Sequence, residues 1–113
     1  MRHFETGATR DDDKTKPDYI GYMSPLVKLR FGQYMLAHQT QADGTKRASD
    51  NWKRGIPPIE YLRSADRHLL DVWLHEEGYP ELAREGREEA LCALLFNVQG
   101  YLHEVLKGHR TYE

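Results

Sequence analysis

The stretch Pro57 to Gly78, PPIEYLRSADRHLLDVWLHEEG, decides the architecture. Two prolines open it, where a helix has no partner for its first N–H groups, and Gly78 followed by Pro80 closes it. The spacing therefore predicts a helix over residues 58–77. On that helix, offsets of four, three and four residues stack Ser64, His68, Asp71 and His75 on one face. Ile59, Leu62, Leu69, Leu70 and Trp73 form an apolar stripe on the opposite side, the side expected to meet a core. Three readings of the polar stripe stay open: a solvated face, a buried hydrogen-bond network with another helix, and a site for a metal or phosphate. A merely solvated face usually favours Lys and Glu, whereas imidazole with carboxylate can bind Mg²⁺ or Zn²⁺ or move protons near neutral pH. Arg67 stands four residues before Asp71, a spacing suited to an ion pair.

Downstream, residues 79–86 read as a short connection with room for one helical turn, and a further helix is expected from Arg87 to Lys107, ended by Gly108. Its apolar side is broad, with Leu91, Leu94, Leu95, Val98, Leu102, Val105 and Leu106 covering more than a single neighbour can bury. That breadth predicts a homo-oligomer, a dimer or tetramer, completing a larger bundle. At about 100° per residue, Glu88 falls at the margin of the apolar side, beside Cys92, Leu95 and Gln99. Glu88 or Glu89 is therefore a candidate to join Asp71 around a divalent cation, although first-turn glutamates also answer the helix dipole. Gly100 leaves room for close approach by backbone or ligand.

Upstream, Ser24 is a good N-cap and Pro25 suits the first helical position, so residues 25–38 should form a helix. Val27, Phe31 and Tyr34 make one apolar stripe, with Leu29 and Leu36 well round from it. Residues 39–56 form a long polar loop with a turn at Asp43-Gly44, and ordered loops of this length are often functional. It carries Asn51, Trp52, Lys53 and Arg54, an indole able to stack on a nucleobase beside cations for phosphates. Trp52 is equally suited to plugging the core beneath the loop. Residues 1–23 show no sustained helical or strand period and read as an extended arm, in which Arg10 follows small residues that allow close approach to an anion.

Length and charge bound the rest. A chain of 113 residues fits one domain able to build a core without metal or disulfide staples. A net charge of −2 gives no electrostatic case for duplex nucleic acid or an anionic membrane surface as the main partner. Cys92 is the only cysteine, so no internal disulfide forms, and no apolar run approaches the roughly 18 residues of a membrane span. A cytoplasmic location is expected.

Several short motifs, in order, resemble a phage protein family described as a dATP/dGTP diphosphohydrolase-like N-terminal domain. They are Gly7-Ala8-Thr9-Arg10-Asp11, Lys16, Asp18-Tyr19, Ser24-Pro25, Asn51-Trp52-Lys53, Gly55-Ile56-Pro57, Tyr61, Ser64, Arg67-His68, Glu89-Ala90-Leu91-Cys92-Ala93 and Phe96-Asn97. The resemblance implies an all-α protein distantly related to MazG-type nucleotide pyrophosphohydrolases, which convert nucleoside triphosphates to monophosphate and pyrophosphate with Mg²⁺. It implies a phage origin, a host-cytoplasm location and purine deoxynucleotide substrates. On this view His68, Asp71, Glu88 and Glu89 are catalytic, Asp71, Glu88 and Glu89 hold Mg²⁺ or Mn²⁺, and Arg10, Asn51, Trp52, Lys53, Arg54 and Asn97 bind the nucleotide. The MazG-type pattern pairs carboxylates as E-x-x-E and E-x-x-D, where this chain has His68-x-x-Asp71 and then Glu88 and Glu89 followed by Asn97. The expected fold is a small all-α bundle of three main helices with an N-terminal arm. The alternatives in function are a non-catalytic nucleotide-binding protein and a helical oligomeric interaction module.

Overall fold

The computed structural model describes residues 2–12 and 14–108. Met1 and Asp13 of the expected arm, and residues 109–113 beyond the last helix, lie outside them. The chain is mostly helical, as expected for an all-α protein. Two short strands, β1 (Arg2–His3) and β2 (Thr9–Arg10), pair antiparallel, and four helices follow: α1 (Tyr19–Tyr22), α2 (Pro25–Ala37), α3 (Pro58–Glu76) and α4 (Arg87–Leu106). Single 3₁₀ turns, Asn51–Arg54 and Pro80–Leu82, precede α3 and α4.

The local signals act as read. The Ser24 hydroxyl accepts from the Val27 N–H at 3.2 Å with Pro25 in the first turn, so α2 begins where its orphan donors are met. Past the end of α3, Gly78 takes a positive φ of 87°, a conformation that costs a side-chain-bearing residue strain. The N-terminal arm is more ordered than its composition suggests. The hairpin closes through Phe4 and Ala8 around Gly7, and Asp18 caps α1 through the Gly21 N–H.

The larger correction concerns which face of α3 turns inward. Helices α3 and α4 form an antiparallel hairpin, and the residues of α3 that enter the seam are the polar ones: Asp71 is 2% exposed, and Ser64, His68 and His75 are half-buried. Facing them, α4 contributes Ala90, Ala93, Asn97, Gly100 and Glu104, all buried. Spacings of three and four residues keep each set on one face of its helix. Small residues on α4 let the backbones approach. A Cβ at Gly100 would collide with the Tyr61 ring, so the close approach expected there is made by a side chain of α3. The apolar stripe of α3 is left outside, with Ile59, Leu62, Leu69, Leu70 and Trp73 all exposed.

Helix α2 lies against the other side of α4 and touches it lightly. The loop over residues 39–56 is pinned by a Thr40–Lys46 bridge and by Trp52, which meets Phe96 and His103 edge-on at 6.2 and 4.7 Å between ring centroids. The sparse packing shows in the dimensions. The radius of gyration is 19.0 Å, against roughly 13 Å for a closed domain of this length.

Candidate functional site

The site is built where α3 ends and the chain turns back into α4. Residues 79–86 bring a second set of polar groups against the buried stripe of α3. Asp71 accepts from the Arg84 guanidinium at 2.6 and 2.9 Å, both on Oδ2, and from the Arg84 backbone N–H at 3.2 Å on Oδ1. His68 Nδ1 lies 2.5 Å from a Glu85 carboxylate oxygen. His75 Nε2 lies 2.7 Å from the Glu85 backbone carbonyl, which can only accept, so the imidazole carries its proton there. Arg87 donates to the carbonyl of His75 at 3.1 Å.

These contacts explain the local fold. A helix end leaves carbonyls without partners, and Arg87 meets one of them. A buried carboxylate needs a charge-assisted partner, and Arg84 supplies it from a turn that only this connection can place. Hydrogen bonding from Arg84 holds the Asp71 carboxyl below the usual range, against the opposing effect of burial. Asp71 is ionised at neutral pH as a result.

His68, Asp71 and Glu85 each present one ligand atom, and the three atoms lie within 4.8 Å of one another. A His/Asp/Glu triad of this kind could hold a metal ion. Its donors are one nitrogen and two oxygens, and that set decides between cations. Mg²⁺ demands near-octahedral oxygen coordination, whereas imidazole suits Zn²⁺, Cu²⁺, Fe²⁺ or Ni²⁺.

Among the described residues, Asp71, Glu88 and Glu89 do not form a cluster of ligand atoms. Glu88 and Glu89 are turned to α2, where Arg30 Nε meets Glu88 at 2.7 Å and Arg30 Nη2 meets Glu89 at 3.3 Å. Asp71 is served by Arg84 instead of Arg67. The carboxylate that does approach His68 is Glu85, which the sequence hid inside a connection without periodicity. Its one signal is proximity in sequence to a helix end, since a short turn must fold back over the residues just before it.

The expected nucleotide-binding residues are dispersed. Arg10 sits in the N-terminal hairpin, paired in register with Arg2. Asn97 is buried and spends its amide on the Ala93 carbonyl one turn back, at 2.8 Å. Lys53 and Arg54 are exposed, with the Lys53 ammonium 5.7 Å from the Trp52 ring centroid. Asn51 and Trp52 line a cavity of about 430 Å³ between α2 and the loop, together with Phe31, Met35, Arg47 and Phe96. Trp52 therefore both packs on α4 and walls a pocket. Its neighbours Phe96 and His103 lie 9 and 16 residues along α4 from Arg87, about 14–24 Å at the helical rise. The indole and the triad belong to opposite ends of the hairpin.

No known family model matches the sequence, and no solved structure matches the fold.

Proposed function

We propose that the chain is a divalent-cation-dependent nucleotide pyrophosphohydrolase that converts purine deoxynucleoside triphosphates to monophosphate and pyrophosphate. The observation that carries this reading is the convergence of His68, Asp71 and Glu85, flanked by Arg84 and Arg87, on the resemblance described above. A bound cation would be held by these three side chains and would supply charge neutralisation at the phosphates.

The chain's own residues account for the remainder. Glu85 orients the His68 imidazole through Nδ1, and that leaves Nε2 as its ligand atom for the cation. Water attacks the α-phosphorus, the bond from it to the bridging oxygen breaks, and pyrophosphate leaves with the electron pair. The guanidinium of Arg84 is half exposed and only partly engaged by Asp71, so it can also face phosphate oxygens.

Incubation with dATP and dGTP, with Mn²⁺ or Mg²⁺, should release pyrophosphate. His68→Ala and Glu85→Gln should abolish release, and the pair Glu88→Gln and Glu89→Gln should retain it. Absence of pyrophosphate release from every deoxynucleoside triphosphate defeats the enzymatic reading. A second reading is favoured by one observation: Arg84 already meets the Asp71 charge within the chain, as in a site that binds phosphates without turnover. Calorimetry that finds intact nucleotide bound, with or without metal, would select it.

A further inference from the structure

The cavity between α2 and the 39–56 loop stands at the Trp52 end of the hairpin, and none of His68, Asp71 and Glu85 lines it. Its walls are apolar and mostly aromatic: Phe31 and Met35 from α2, Trp52 and Ile56 from the loop, and Phe96 from α4, all half-buried. At about 430 Å³ it falls in the range of roughly 300–1,000 Å³ used by small-molecule sites. Gly32 helps to keep that space open. It lies inside α2, where glycine weakens a helix, and it takes no positive φ that would require glycine. A Cβ built there meets nothing within 4 Å. Neither backbone conformation nor close packing calls for glycine at this position, which lines the cavity. What the missing side chain leaves is volume.

Charge selects the occupant. Among the described residues, no Asp or Glu lines the cavity, and Arg47 is the one Lys or Arg that does. The Arg47 backbone is tied to Gln39 twice at 2.8 Å: its N–H donates to the Gln39 carbonyl, and its own carbonyl accepts from the Gln39 side-chain amide. That anchors the residue against the loop, while no carboxylate of the described residues pairs with its guanidinium. A guanidinium is a planar fork that matches one carboxylate. A triphosphate carries several negative charges and would meet a single cation here, because Lys53 and Arg54 do not line the space.

We propose that this cavity is a binding site for an apolar organic monoanion, an aromatic ring system bearing one carboxylate. The rings lie among Phe31, Trp52 and Phe96, where offset and edge-on contacts between aromatic groups are favourable. The carboxylate meets Arg47, and the amides of Asn51 and Gln99 in the lining offer further donors. This is a second site, independent of the metal triad and of the reaction proposed there.

Isothermal titration calorimetry of the full chain with 2-naphthoate, in EDTA, is the test. EDTA keeps divalent cations from the triad, so the result does not depend on whether pyrophosphate is released there. Naphthoate should bind saturably, one per chain, and the neutral 2-naphthamide should bind about tenfold more weakly for want of a charge-assisted hydrogen bond. Arg47→Gln should weaken naphthoate about tenfold and leave naphthamide unchanged. Gly32→Leu should abolish binding of both while raising the thermal midpoint, since leucine fills the space and favours the helix. Arg47 is exposed, so its variant keeps the test available should the leucine disturb α2. No binding of naphthoate overturns the proposal, as does equal affinity for naphthamide, which removes the anion from the recognition. Binding that survives Gly32→Leu in a chain still helical by circular dichroism places the ligand elsewhere and overturns it too. So does displacement of naphthoate by lower concentrations of dATP in EDTA, which would make the cavity the seat of a nucleotide base.

Discussion

The two ends of the α3–α4 seam bury polar groups by opposite means. At the Asp71 end nearly every polar atom is answered: Arg84 meets the carboxylate, Glu85 meets His68, and a backbone carbonyl meets His75. At the Tyr61 end the seam is sealed by fit. The Tyr61 ring sits over Gly100, Phe96 packs edge-on at 6.0 Å, and the hydroxyl is buried with no hydrogen-bond partner among the described residues. Burial and the nearby Glu104 carboxylate raise the Tyr61 phenol above its ordinary range, so it stays neutral. The lesson is that polar residues in a seam become a site only where the chain returns with complementary groups. Where it returns with aromatics, the seam is structural.

The sharpest way to break this contrast is to attack the packed end. Tyr61→Ala should destabilise the fold by about 3–5 kcal/mol in urea titrations, since it empties a buried aromatic position. If the ends are separate, a residual thermal shift with Mn²⁺ should persist in whatever fraction remains folded. A loss of stability well under 1 kcal/mol would show that the Tyr61 end is not a core.

The Asp71 end should respond less in stability and more in ligand binding. Asp71→Asn removes a charged acceptor from Arg84 and should cost about 1–3 kcal/mol while eliminating the Mn²⁺ shift. Its acid dependence follows from the lowered carboxyl titration, caused first by the Arg84 hydrogen bonds. A depressed folded-state value means that the stabilisation is complete above the carboxyl's unfolded value and is lost as pH falls through the folded one. The urea midpoint of the wild type should therefore drop below about pH 4, and the Asp71→Asn midpoint should drop less steeply. Equal slopes would separate Asp71 from acid unfolding.

The smallest effect belongs to the pair that the family pattern placed in the site. Glu88→Gln with Glu89→Gln loosens α2 through Arg30, whose two exposed ion pairs are screened by solvent, so the urea midpoint should hardly move. The Mn²⁺ shift should be unchanged. Its disappearance would return these glutamates to the metal and move the site to a different arrangement of helices.

Helix limits, the all-α class and the stacking of Ser64, His68, Asp71 and His75 on one face of α3 were legible because caps, prolines and 3.6-residue spacing are local properties. Which face of α3 turns inward was not. Amphipathicity ordinarily sends the apolar stripe to the core of one chain, yet here Ala90, Ala93 and Gly100 admit the polar stripe instead, and no reading of α3 alone contains those residues. His75, without a role in the family pattern, proves to hold the Glu85 backbone.

The amino-acid sequence by itself determined where each long helix begins and ends, because those limits depend on residues within a few positions of one another. Only the tertiary structure decided that Asp71 meets Arg84, that Glu85 lies beside His68 while Glu88 and Glu89 meet Arg30, and that Trp52 lies at the far end of the hairpin. Those partners are set by how the connection folds back and by which small residues let two helices close, and both are properties of the packed chain.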